Sequence, residues 1–450
     1  MLKRRIESVV YENFTVKGDK VLIVTGARQV GKSYIIRHVA KKIFKNVIEI
    51  NLIEDFEGNR LFDRISGTDD FYFKLSMIAG DKLGSNEDTL VFLDEIQQYP
   101  QLLTMLKFLR EENRFKYAVS GSLLGVSMKT TTSVPLGSVD IVEMYPLDFE
   151  EFLWANGVGE TVVSEMKERF VHGECLDEAS HNRIMELFKR YLLVGGLPEA
   201  VNEYIASKNI VKIREVQSDI YRLYGIDASK YDESHRLKIR RIYDMIPSNM
   251  ENKKKRLVYK DIDGKSNGRA DNYVEEIDYL ISSGIALEVK AVSNPTFPLI
   301  ESGIKNLLKL YLNDVGLMSW LLYRNNIKAV LDSECSVNLG SLYECVAATE
   351  LRAHGNRLFY YDNKSKGEVD YLVDDFNNLE VLPIEIKSGK DYTVHSALNR
   401  LISTPDYRIS RGIVFSNERE VYNKGSVSYM PIYYVIFING YGSDMSEIIL

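Results

Sequence analysis

Cysteine and histidine are scarce in this chain of 450 residues, which contains three cysteines and six histidines. Cys175, Cys335 and Cys345 are too few for a disulfide framework, and the lack of a Cys-x-x-Cys pair argues against a structural zinc site. No stretch approaches the roughly 18 apolar residues that a membrane-spanning helix needs. The basic start is not followed by an apolar segment of signal-peptide type. The sequence therefore predicts a reduced, cytoplasmic protein that does not enter a membrane.

An excess of basic charge is missing as well, because 57 lysines and arginines face 64 aspartates and glutamates, for a net charge of -7. This balance excludes a protein that coats nucleic acid by bulk charge, although it permits a local basic patch. The apolar fraction of 45% and the charged fraction of 27% are those of a globular protein, which excludes extended disorder. At about 100–200 residues per domain, the length predicts two to four domains.

A glycine-rich octet follows a short apolar strand near the N terminus. The β-branched run 21–25 leads directly into the octet GARQVGKS, and apolar residues at helical spacing follow from 34 to 43. Strand, glycine loop and helix are the context of a phosphate-binding loop, in which backbone N–H groups and the helix N-terminus attract phosphate. Lys32, a predicted catalytic residue, would reach the β- and γ-phosphates, and the Ser33 hydroxyl would ligate Mg²⁺. The predicted ATP-binding residues of the octet are Gly26, Ala27, Arg28, Gln29, Val30, Gly31, Lys32 and Ser33.

Two acidic residues follow a second apolar strand, at residues 89–93. A carboxylate at the carboxyl end of a buried parallel strand is costly unless it meets a cation or hydrogen-bond donors. We expect Asp94 to hold Mg²⁺ through water and Glu95 to polarise the attacking water as the general base. The next strand ends in hydroxyls, of which Ser120 or Ser122 would sense the γ-phosphate, and a polar turn is an equally good alternative. Alternating strands and helices predict a parallel α/β sheet.

Five segments occur in an order that resembles a known family. They are GARQVGKS, LVFLDEIQ, YAVSGSLLG, YPLDFEEF at 145–152 and GGLPE at 195–199. This series is similar to that of the bacterial and archaeal AAA-type P-loop ATPases whose uncharacterised C-terminal half resembles PD-(D/E)XK nucleases. Because many AAA-type ATPases work as rings, the resemblance also implies a homo-oligomer or a protein partner. The family usually has a glycine-arginine pair where this chain has Gly137-Ser138. If that arginine senses phosphate, this chain would either use another one, with Arg28 as a candidate, or hydrolyse ATP slowly in the manner of a switch.

The middle of the chain has two parts. Residues 150–224 have a helical pattern, which favours a helical lid over the nucleotide, with a plain helical linker as the alternative. Residues 230–270 carry twelve basic and six acidic side chains, a local net charge of +6. Three helices and a strand, expected at 234–245, 259–262, 272–282 and 284–290, resemble a winged helix, whose third helix can enter a major groove. DNA contact through this segment is one interpretation, and a solvated basic face or a protein contact is the other.

Acidic residues and a lysine recur at strand spacing near the C terminus. A helix at 339–354 carries Glu344, and strands at 357–361, 368–373 and 381–387 follow, with further strands expected at 411–415 and 431–438. Period-two alternation places Glu385 and Lys387 on one face, beside Asp370 of the neighbouring strand. Two carboxylates can hold Mg²⁺, and the lysine can activate hydroxide and stabilise the phosphorane charge.

The motif Glu-x-Lys is weak by itself, since Glu288-Val-Lys290 is a second copy. Context separates the copies, because only the later one follows a helix with Glu344 and a hairpin-linked Glu-Val-Asp segment and has further strands after it. The resemblance to the nuclease-like family then assigns the motif positions. It implies catalytic roles for Asp370, Glu385 and Lys387, and metal-ligand roles for Asp370, Glu385 and Glu344. A nuclease-like fold without activity, in which these charges form buried ion pairs, is the alternative.

We therefore expect an α/β protein with an AAA-type P-loop ATPase core at 1–150 and a helical lid at 151–228. A winged-helix-like connector at 229–300 and a restriction-endonuclease-like domain at 301–450 would follow. The expected function is ATP binding and hydrolysis, with ATP and Mg²⁺ gating a metal-dependent enzyme that acts on DNA. The alternative function is a nucleotide-controlled switch or scaffold whose C-terminal domain only binds nucleic acid or protein.

Overall fold

The computed structural model describes most of the chain, and its residues separate into two compact units. One unit comprises residues 3–145 together with 282–285, and the other comprises 146–281 together with 286–441. The described residues are 2–16, 20–122, 137–228, 233–252, 255–263, 270–302, 304–332 and 337–441. Among them, no helix combines the length and the apolar character that crossing a bilayer would require.

The first unit contains a parallel sheet with the strand order β2-β3-β4-β1-β5. The expected strands β1 to β4 are present, and β3 is buried along its whole length. Because all pairs are parallel, the carboxyl ends of the strands meet at one edge of the sheet, which brings together the residues that follow β1, β3 and β4. The strands are Val21–Thr25 (β1), Asn46–Asn51 (β2), Thr89–Asp94 (β3), Lys116–Gly121 (β4) and Val139–Glu143 (β5).

Helices of the first unit pack on this sheet through apolar side chains. One core joins Ile23 and Val91 of the sheet to Phe71 and Leu106 of two helices, all four fully buried. Each such side chain contributes about 1.5–3 kcal/mol when it leaves water. The helices are Ile6–Thr15 (α1), Lys32–Ile43 (α2), Leu52–Glu57 (α3), Thr68–Ala79 (α4) and Gln101–Glu112 (α5), with 3-10 turns at Gly80–Lys82 and Ile96–Gln98.

The second unit begins with consecutive helices and continues into a mixed sheet. The helical pattern expected from residue 150 onward is present. The helices are Phe149–Ala155 (α6), Glu160–His172 (α7), Glu178–Val194 (α8), Pro198–Ser207 (α9), Ile210–Ala228 (α10), Glu233–Glu251 (α11), Tyr259–Asp263 (α12), Val274–Ser282 (α13), Val315–Tyr323 (α14), Lys328–Leu331 (α15), Gly340–Ala353 (α16) and Ser396–Ile402 (α17). Single 3-10 segments are Ala270–Tyr273, Leu299–Glu301, Pro405–Tyr407 and Ile432–Phe437.

Within its described residues, this unit has an eight-stranded sheet with the order β12-β13-β11-β10-β9-β8-β6-β7. The pairs β6/β8, β10/β11 and β11/β13 are parallel, and the others are antiparallel. The strands are Ala286–Val292 (β6), Ile304–Leu312 (β7), Phe359–Asn363 (β8), Gly367–Asp375 (β9), Glu380–Ile386 (β10), Gly412–Ser416 (β11), Tyr422–Lys424 (β12) and Val427–Pro431 (β13).

Two sequence segments that are distant along the chain meet inside the second unit. Gly196 N–H donates to Asp314 Oδ2 at 2.6 Å, and Leu317 N–H donates to Asp314 Oδ1 at 2.9 Å, which caps α14. A Cβ at Gly196 would lie 1.8 Å from the carbonyl oxygen of Leu147, so only glycine fits there. Burial raises the pKa of Asp314 to about 6, despite these N–H donors. The GGLPE segment is therefore explained by close packing.

The strand expected at 284–290 lies in this sheet as β6, where it pairs with β7 and β8. The three preceding helices occur in the expected order, but the expected domain border at 300/301 falls between the two paired strands β6 and β7. A strand predicted at 431–438 is wrong, because Ile432–Phe437 is a 3-10 helix that follows β13. Its apolar run is buried continuously from Ile432 to Ile436, so it has no period that distinguishes strand from helix.

Candidate functional site

The phosphate-binding loop connects β1 to α2, as the sequence predicts. Gly26 has φ 132°, and a Cβ there would lie 2.1 Å from the carbonyl oxygen of Met144. Gly31 has φ 99° and precedes the first residue of α2, so both glycines occupy conformations that other residues rarely adopt. Between them, Ala27 and Val30 are buried, while Gln29 is exposed with φ 65°. The N-terminus of α2 opens at this loop, as anion binding requires.

Lys32 lies at the start of α2 with its ammonium group turned onto the loop. Its Nζ donates to the carbonyl oxygens of Gly26, at 3.0 Å, and Ala27, at 2.8 Å. The residue is only 5% exposed, so the charge is kept at the loop rather than in bulk solvent. A phosphate oxygen is a stronger acceptor for this ammonium than a neutral carbonyl.

Ser33 and Asp94 meet at the edge where β1 and β3 end. Ser33 Oγ donates to Asp94 Oδ1 at 2.9 Å, and Ser120 Oγ, at the end of β4, donates to the same oxygen. Asp94 is buried, with 6% exposure. A hydroxyl and a carboxylate in contact are the ligand types that Mg²⁺ prefers, and they fit an ion that also takes oxygens from water and phosphate. Ser120 thus contacts the predicted metal ligand.

Glu95 follows Asp94 and is held by neutral donors. Its Oε2 accepts from Gln97 Nε2 at 2.5 Å and from Ser122 Oγ at 3.0 Å. Burial raises the pKa of Glu95, but Gln97, Ser122 and the charges of Lys32 and Arg28 outweigh it, so the pKa lies below its usual range. Glu95 also has φ 60°, in the left-handed region. The carboxylate is therefore ionised at neutral pH, as a general base must be.

Gln97 and Arg4 contribute to this site without having been predicted from the sequence. Arg4 is buried, and its guanidinium donates to the carbonyl oxygens of Val30, at 3.0 Å, and Tyr145, at 2.7 Å. It thus supports the phosphate loop through the main chain. Gln97 lies two residues after Glu95, so its amide could have been predicted from the sequence as a hydrogen-bond donor to that carboxylate. Nothing in the basic N-terminal sequence distinguishes Arg4 from its neighbours.

The C-terminal cluster brings three predicted residues together on adjacent strands. Lys387 Nζ lies 2.7 Å from Glu385 Oε1, and the N–H of Ile386 donates to Asp370 Oδ2 at 2.8 Å. Glu385 is 7% exposed, and its Oε2 has no hydrogen-bond partner among the described residues. Such a buried oxygen without a donor is costly unless a cation supplies the missing interaction.

Glu344, on α16, is surrounded by groups that the sequence did not point to. Its Oε1 pairs with Lys255 Nζ, and its Oε2 accepts from Tyr311 Oη at 3.0 Å and lies 3.8 Å from Lys309 Nζ. Lys309 is fully buried and also lies 2.6 Å from Glu368 Oε1. A lysine inside the apolar run of β7 was the available signal for this ion-pair network.

The charges of this cluster perturb one another. Burial raises the pKa of Asp370 well above its usual range, and the nearby Glu385 and Glu344 raise it further. Burial also raises the pKa of Glu385, although Lys387 opposes the shift. For Glu344, burial is outweighed by Lys309 and Lys255, so its pKa is lowered. Asp370 and Glu385 are therefore the carboxylates that lack sufficient positive charge.

The fit of a divalent cation differs among these carboxylates. Asp370 and Glu385 provide buried oxygens beside one another, whereas both oxygens of Glu344 already have partners. Within the described part of the chain, no group of three or more His, Cys, Asp and Glu side chains is arranged to hold a metal ion. Asp370 and Glu385 are therefore the two carboxylates of this cluster that could act as ligands of a divalent cation.

The second Glu-x-Lys copy, on β6, has a different environment. Lys290 Nζ lies 3.2 Å from Glu288 Oε2, and both side chains are partly exposed. Across the sheet, Glu288 is opposite Leu310, and Lys290 is opposite Leu308 and Phe359, so these pairs bring no second carboxylate to it. Variants of Glu288 and Lys290 can therefore serve as controls for variants of Glu385 and Lys387.

Several basic residues of segment 230–270 are bound within the second unit. Lys255 pairs with Glu344, Arg256 lies 3.1 Å from Asp362, and Lys238 lies 3.3 Å from Glu276. Arg236, Arg241 and Lys260 are exposed, and Arg241 also donates to the carbonyl oxygen of Ile262 at 3.3 Å. Lys230, Lys253, Lys254, Lys265 and Arg269 lie outside the described residues.

Comparison with protein families gives a match for most of the first unit. Residues 18–153 match the model of a family described as an AAA domain, a range that includes the phosphate loop and the acidic pair at the end of β3. Residues 185–328 and 339–435 match two families that are each described as a domain of unknown function, DUF8612 and DUF4143. No curated protein matches the chain.

Solved structures of low identity resemble the chain. The Walker-type ATPase PABY2304 of Pyrococcus abyssi is 15% identical, with a TM-score of 0.44 over 71% of this chain and 96% of that one. The ORC2 protein of Aeropyrum pernix, in ADPNP and ADP complexes, is 12% identical, with a TM-score of 0.38 over 74% and 95%.

Proposed function

We propose that this chain binds ATP with Mg²⁺ at the phosphate loop of the first unit and hydrolyses it. The observation that carries the proposal is the convergence of Lys32, the Ser33–Asp94 pair and Glu95 at one edge of the sheet. The match to an AAA domain supports the same assignment.

Each side chain has a distinct part in this reaction. The N–H groups of residues 26–33 and the ammonium of Lys32 bind the phosphates. Ser33 and Asp94 would hold Mg²⁺, which when bound neutralises charge on the phosphate oxygens. Water attacks the γ-phosphorus, the bond to the β–γ bridging oxygen breaks, ADP leaves, and Glu95 accepts the proton of the water. Ser120, bonded to Asp94, positions that carboxylate.

Calorimetry and phosphate release test this proposal together. The wild-type chain should bind ATP in the presence of Mg²⁺ and release phosphate continuously. Lys32→Ala should weaken ATP binding by about 100-fold, because it removes a charge-assisted hydrogen bond to phosphate. Arg37→Ala is the matched control, since Arg37 lies on the exposed side of α2 and pairs with Glu49 at 2.8 Å. Near-normal ATP affinity in Lys32→Ala would remove the assignment.

For the second unit, we infer metal-dependent cleavage of a phosphodiester at Asp370, Glu385 and Lys387. The specific observation that favours it is the buried pair of carboxylates with one oxygen that lacks a donor, beside a lysine. Asp370 and Glu385 would hold a divalent cation, which when bound acts as a Lewis acid towards the phosphate. Lys387 would activate the attacking water and offset charge on the phosphorus oxygens. The substrate class is nucleic acid, and nucleotide state in the first unit would gate its cleavage.

The cleavage proposal is tested with plasmid and single-stranded DNA in Mg²⁺ or Mn²⁺, with and without ATP. Asp370→Asn and Glu385→Gln should each abolish cleavage while ATP hydrolysis continues, and Lys387→Ala should abolish cleavage while metal still binds. Glu288→Ala and Lys290→Ala should leave cleavage unchanged. If the wild-type chain cleaves neither DNA nor RNA under any nucleotide condition, the second unit is a nucleotide-controlled binding or scaffold domain, as the ion pairs of Glu344 would suit.

DNA contact through the winged-helix-like segment is part of the same proposal. Arg236, Arg241 and Lys260 are its exposed described bases, whereas Lys255 and Arg256 are in ion pairs. Arg241 also donates to the carbonyl oxygen of Ile262 at 3.3 Å, so the test uses the other two. Reversing Arg236 and Lys260 to glutamate should lower DNA affinity. It should also reduce the slope of log affinity against log salt by about 0.9 for each phosphate that the variant no longer neutralises. An unchanged slope would show that this face is only solvated.

A further inference from the structure

Arg28 is a residue of the phosphate loop with no part in the proposed binding of Mg²⁺ or the proposed proton transfer. It follows Ala27 in the octet and is half-buried. Its Nε donates to Ser122 Oγ at 3.3 Å, and Ser122 Oγ in turn donates to Glu95 Oε2 at 3.0 Å. The guanidinium of Arg28 is therefore directed towards the end of β4, on the side where the general base lies.

The positive charge of Arg28 agrees with this placement, because Arg28 and Lys32 are two cations of the same loop and Lys32 is the one predicted to bind phosphate. Arg28 is also tied by its backbone to the loop whose N–H groups bind phosphate. Rotation of the side chain away from Ser122 would free a planar cation with two parallel donors for a phosphate bound in the same loop.

Other arginines near this edge are committed to different partners. Arg4 supports the loop through Val30 and Tyr145, and Arg37 pairs with Glu49. The sequence contains no arginine between residues 114 and 169, the stretch that follows the turn at 120–122. Among Arg4, Arg28 and Arg37, Arg28 is thus the one whose side chain is directed towards the residues around the general base.

We propose that Arg28 is a catalytic arginine that acts in its own chain, contacting the γ-phosphate of ATP bound to the loop that carries it. This inference rests on the proposed ATP hydrolysis. As the bond between the γ-phosphorus and the β–γ bridging oxygen breaks, the guanidinium stabilises charge on the γ-phosphate oxygens. When the Arg28 guanidinium moves from Ser122 to the γ-phosphate, the Ser122 hydroxyl loses one of its hydrogen-bond partners. Because the same hydroxyl donates to Glu95, binding of the γ-phosphate affects the general base.

Steady-state kinetics and ADP calorimetry of Arg28→Ala test the role in catalysis. We expect kcat to fall by about 10²–10³-fold, as when one preorganised donor to a transition-state oxygen is removed. KM should change little, because the interaction strengthens in the transition state. ADP affinity should stay unchanged, since ADP lacks the γ-phosphate. Arg28→Lys, which keeps the charge but not the planar fork, should have an intermediate kcat, and Arg37→Ala should match the wild type.

A mixing experiment tests whether Arg28 acts in its own chain. Lys32→Ala retains Arg28 but not the lysine that binds phosphate, whereas Arg28→Ala retains that lysine but not the arginine. An equimolar mixture should hydrolyse ATP no faster than the sum of its components. Activity restored by mixing would show that the arginine acts on a neighbouring chain and would overturn the proposal.

The remaining outcomes also decide the proposal. Equal losses of ADP and ATP affinity in both Arg28 variants would assign Arg28 to support of the loop, and wild-type kcat in Arg28→Ala would remove its role. Either result leaves ATP hydrolysis itself standing. An absence of turnover in the wild-type chain would instead remove the proposed function, and this inference with it.

Discussion

The two candidate sites hold their acidic residues with different kinds of hydrogen-bond donor. In the first unit, Asp94 and Glu95 are held by hydroxyls and an amide, which are neutral donors. In the second unit, Glu344 and Glu385 are held by lysine ammonium groups. Neutral donors leave the negative charge in place for an incoming cation, whereas ammonium groups compete with it. The first site therefore keeps its negative charge available to a cation. In the second site, lysines already offset the charge of Glu344 and part of that of Glu385, while Asp370 has no such partner of its own among the described residues.

The largest effect is expected for ATP hydrolysis at the first site. Glu95→Gln should lower kcat for ATP hydrolysis by about 10³-fold, because an amide cannot accept the proton of the attacking water. ATP affinity, measured by calorimetry, should stay close to that of the wild type. If turnover survived, a different general base would be required, and the neutral donors around Glu95 would be structural.

A smaller effect is expected on the stability of the second unit. Lys309→Ala should lower the free energy of unfolding by about 3 kcal/mol, because Glu344 and Glu368 would lose a buried partner. Combining Lys309→Met with Glu344→Gln should recover much of that loss. In the first unit, Ser120→Ala, which removes only one neutral donor to Asp94, should cost about 1 kcal/mol. Urea unfolding measures both, and equal costs would contradict the contrast between the sites.

A third, still smaller effect is expected on metal affinity at the second site, where Lys387 and a metal ion would compete for Glu385. Lys387→Met should raise Mn²⁺ affinity at the second site by about fivefold, since the ammonium no longer competes for Glu385, a relief of about 1 kcal/mol. DNA cleavage should nevertheless be abolished. A fall in Mn²⁺ affinity instead would show that Lys387 organises the metal ligands rather than competing with the metal.

The smallest effect concerns the second Glu-x-Lys copy on β6. Glu288→Gln and Lys290→Met should each change the free energy of unfolding by less than about 0.5 kcal/mol, because the pair is partly exposed. Mn²⁺ binding should not change. If either variant lowered the free energy of unfolding as much as Lys309→Ala does, the difference in exposure would not explain the difference between the two Glu-x-Lys copies.

The sequence predicted best those elements whose conformation is determined by their own residues. The octet at 26–33 and the strands before Asp94 and Ser120 are as predicted, because glycine loops and buried β-branched strands have strong local signals. The segment 431–438 gave no such signal, since an apolar run that is buried on all sides has no period.

Contacts between distant segments could not be predicted in the same way. Lys255 and Lys309 belong to different elements from Glu344, and only the folded sheet brings them to it. The pairing of β6 with β8 joins strands separated by about seventy residues, so the wing-like position of β6 in the sequence was misleading about its neighbours. Arg4 likewise acts through carbonyl oxygens that no motif marks. Gln97 ends the LVFLDEIQ segment, but its hydrogen bond to Glu95 was not predicted.

Calorimetric titration with Mn²⁺, with and without a non-hydrolysable ATP analogue, tests the contrast between the sites most directly. We expect one binding event that requires the analogue and disappears in Asp94→Asn. A second event should be independent of the analogue and disappear in Asp370→Asn. Disappearance of both events in either single variant, or the absence of any event that requires the nucleotide, would contradict the assignment of a metal–nucleotide site to the first unit and a separate cation site to the second.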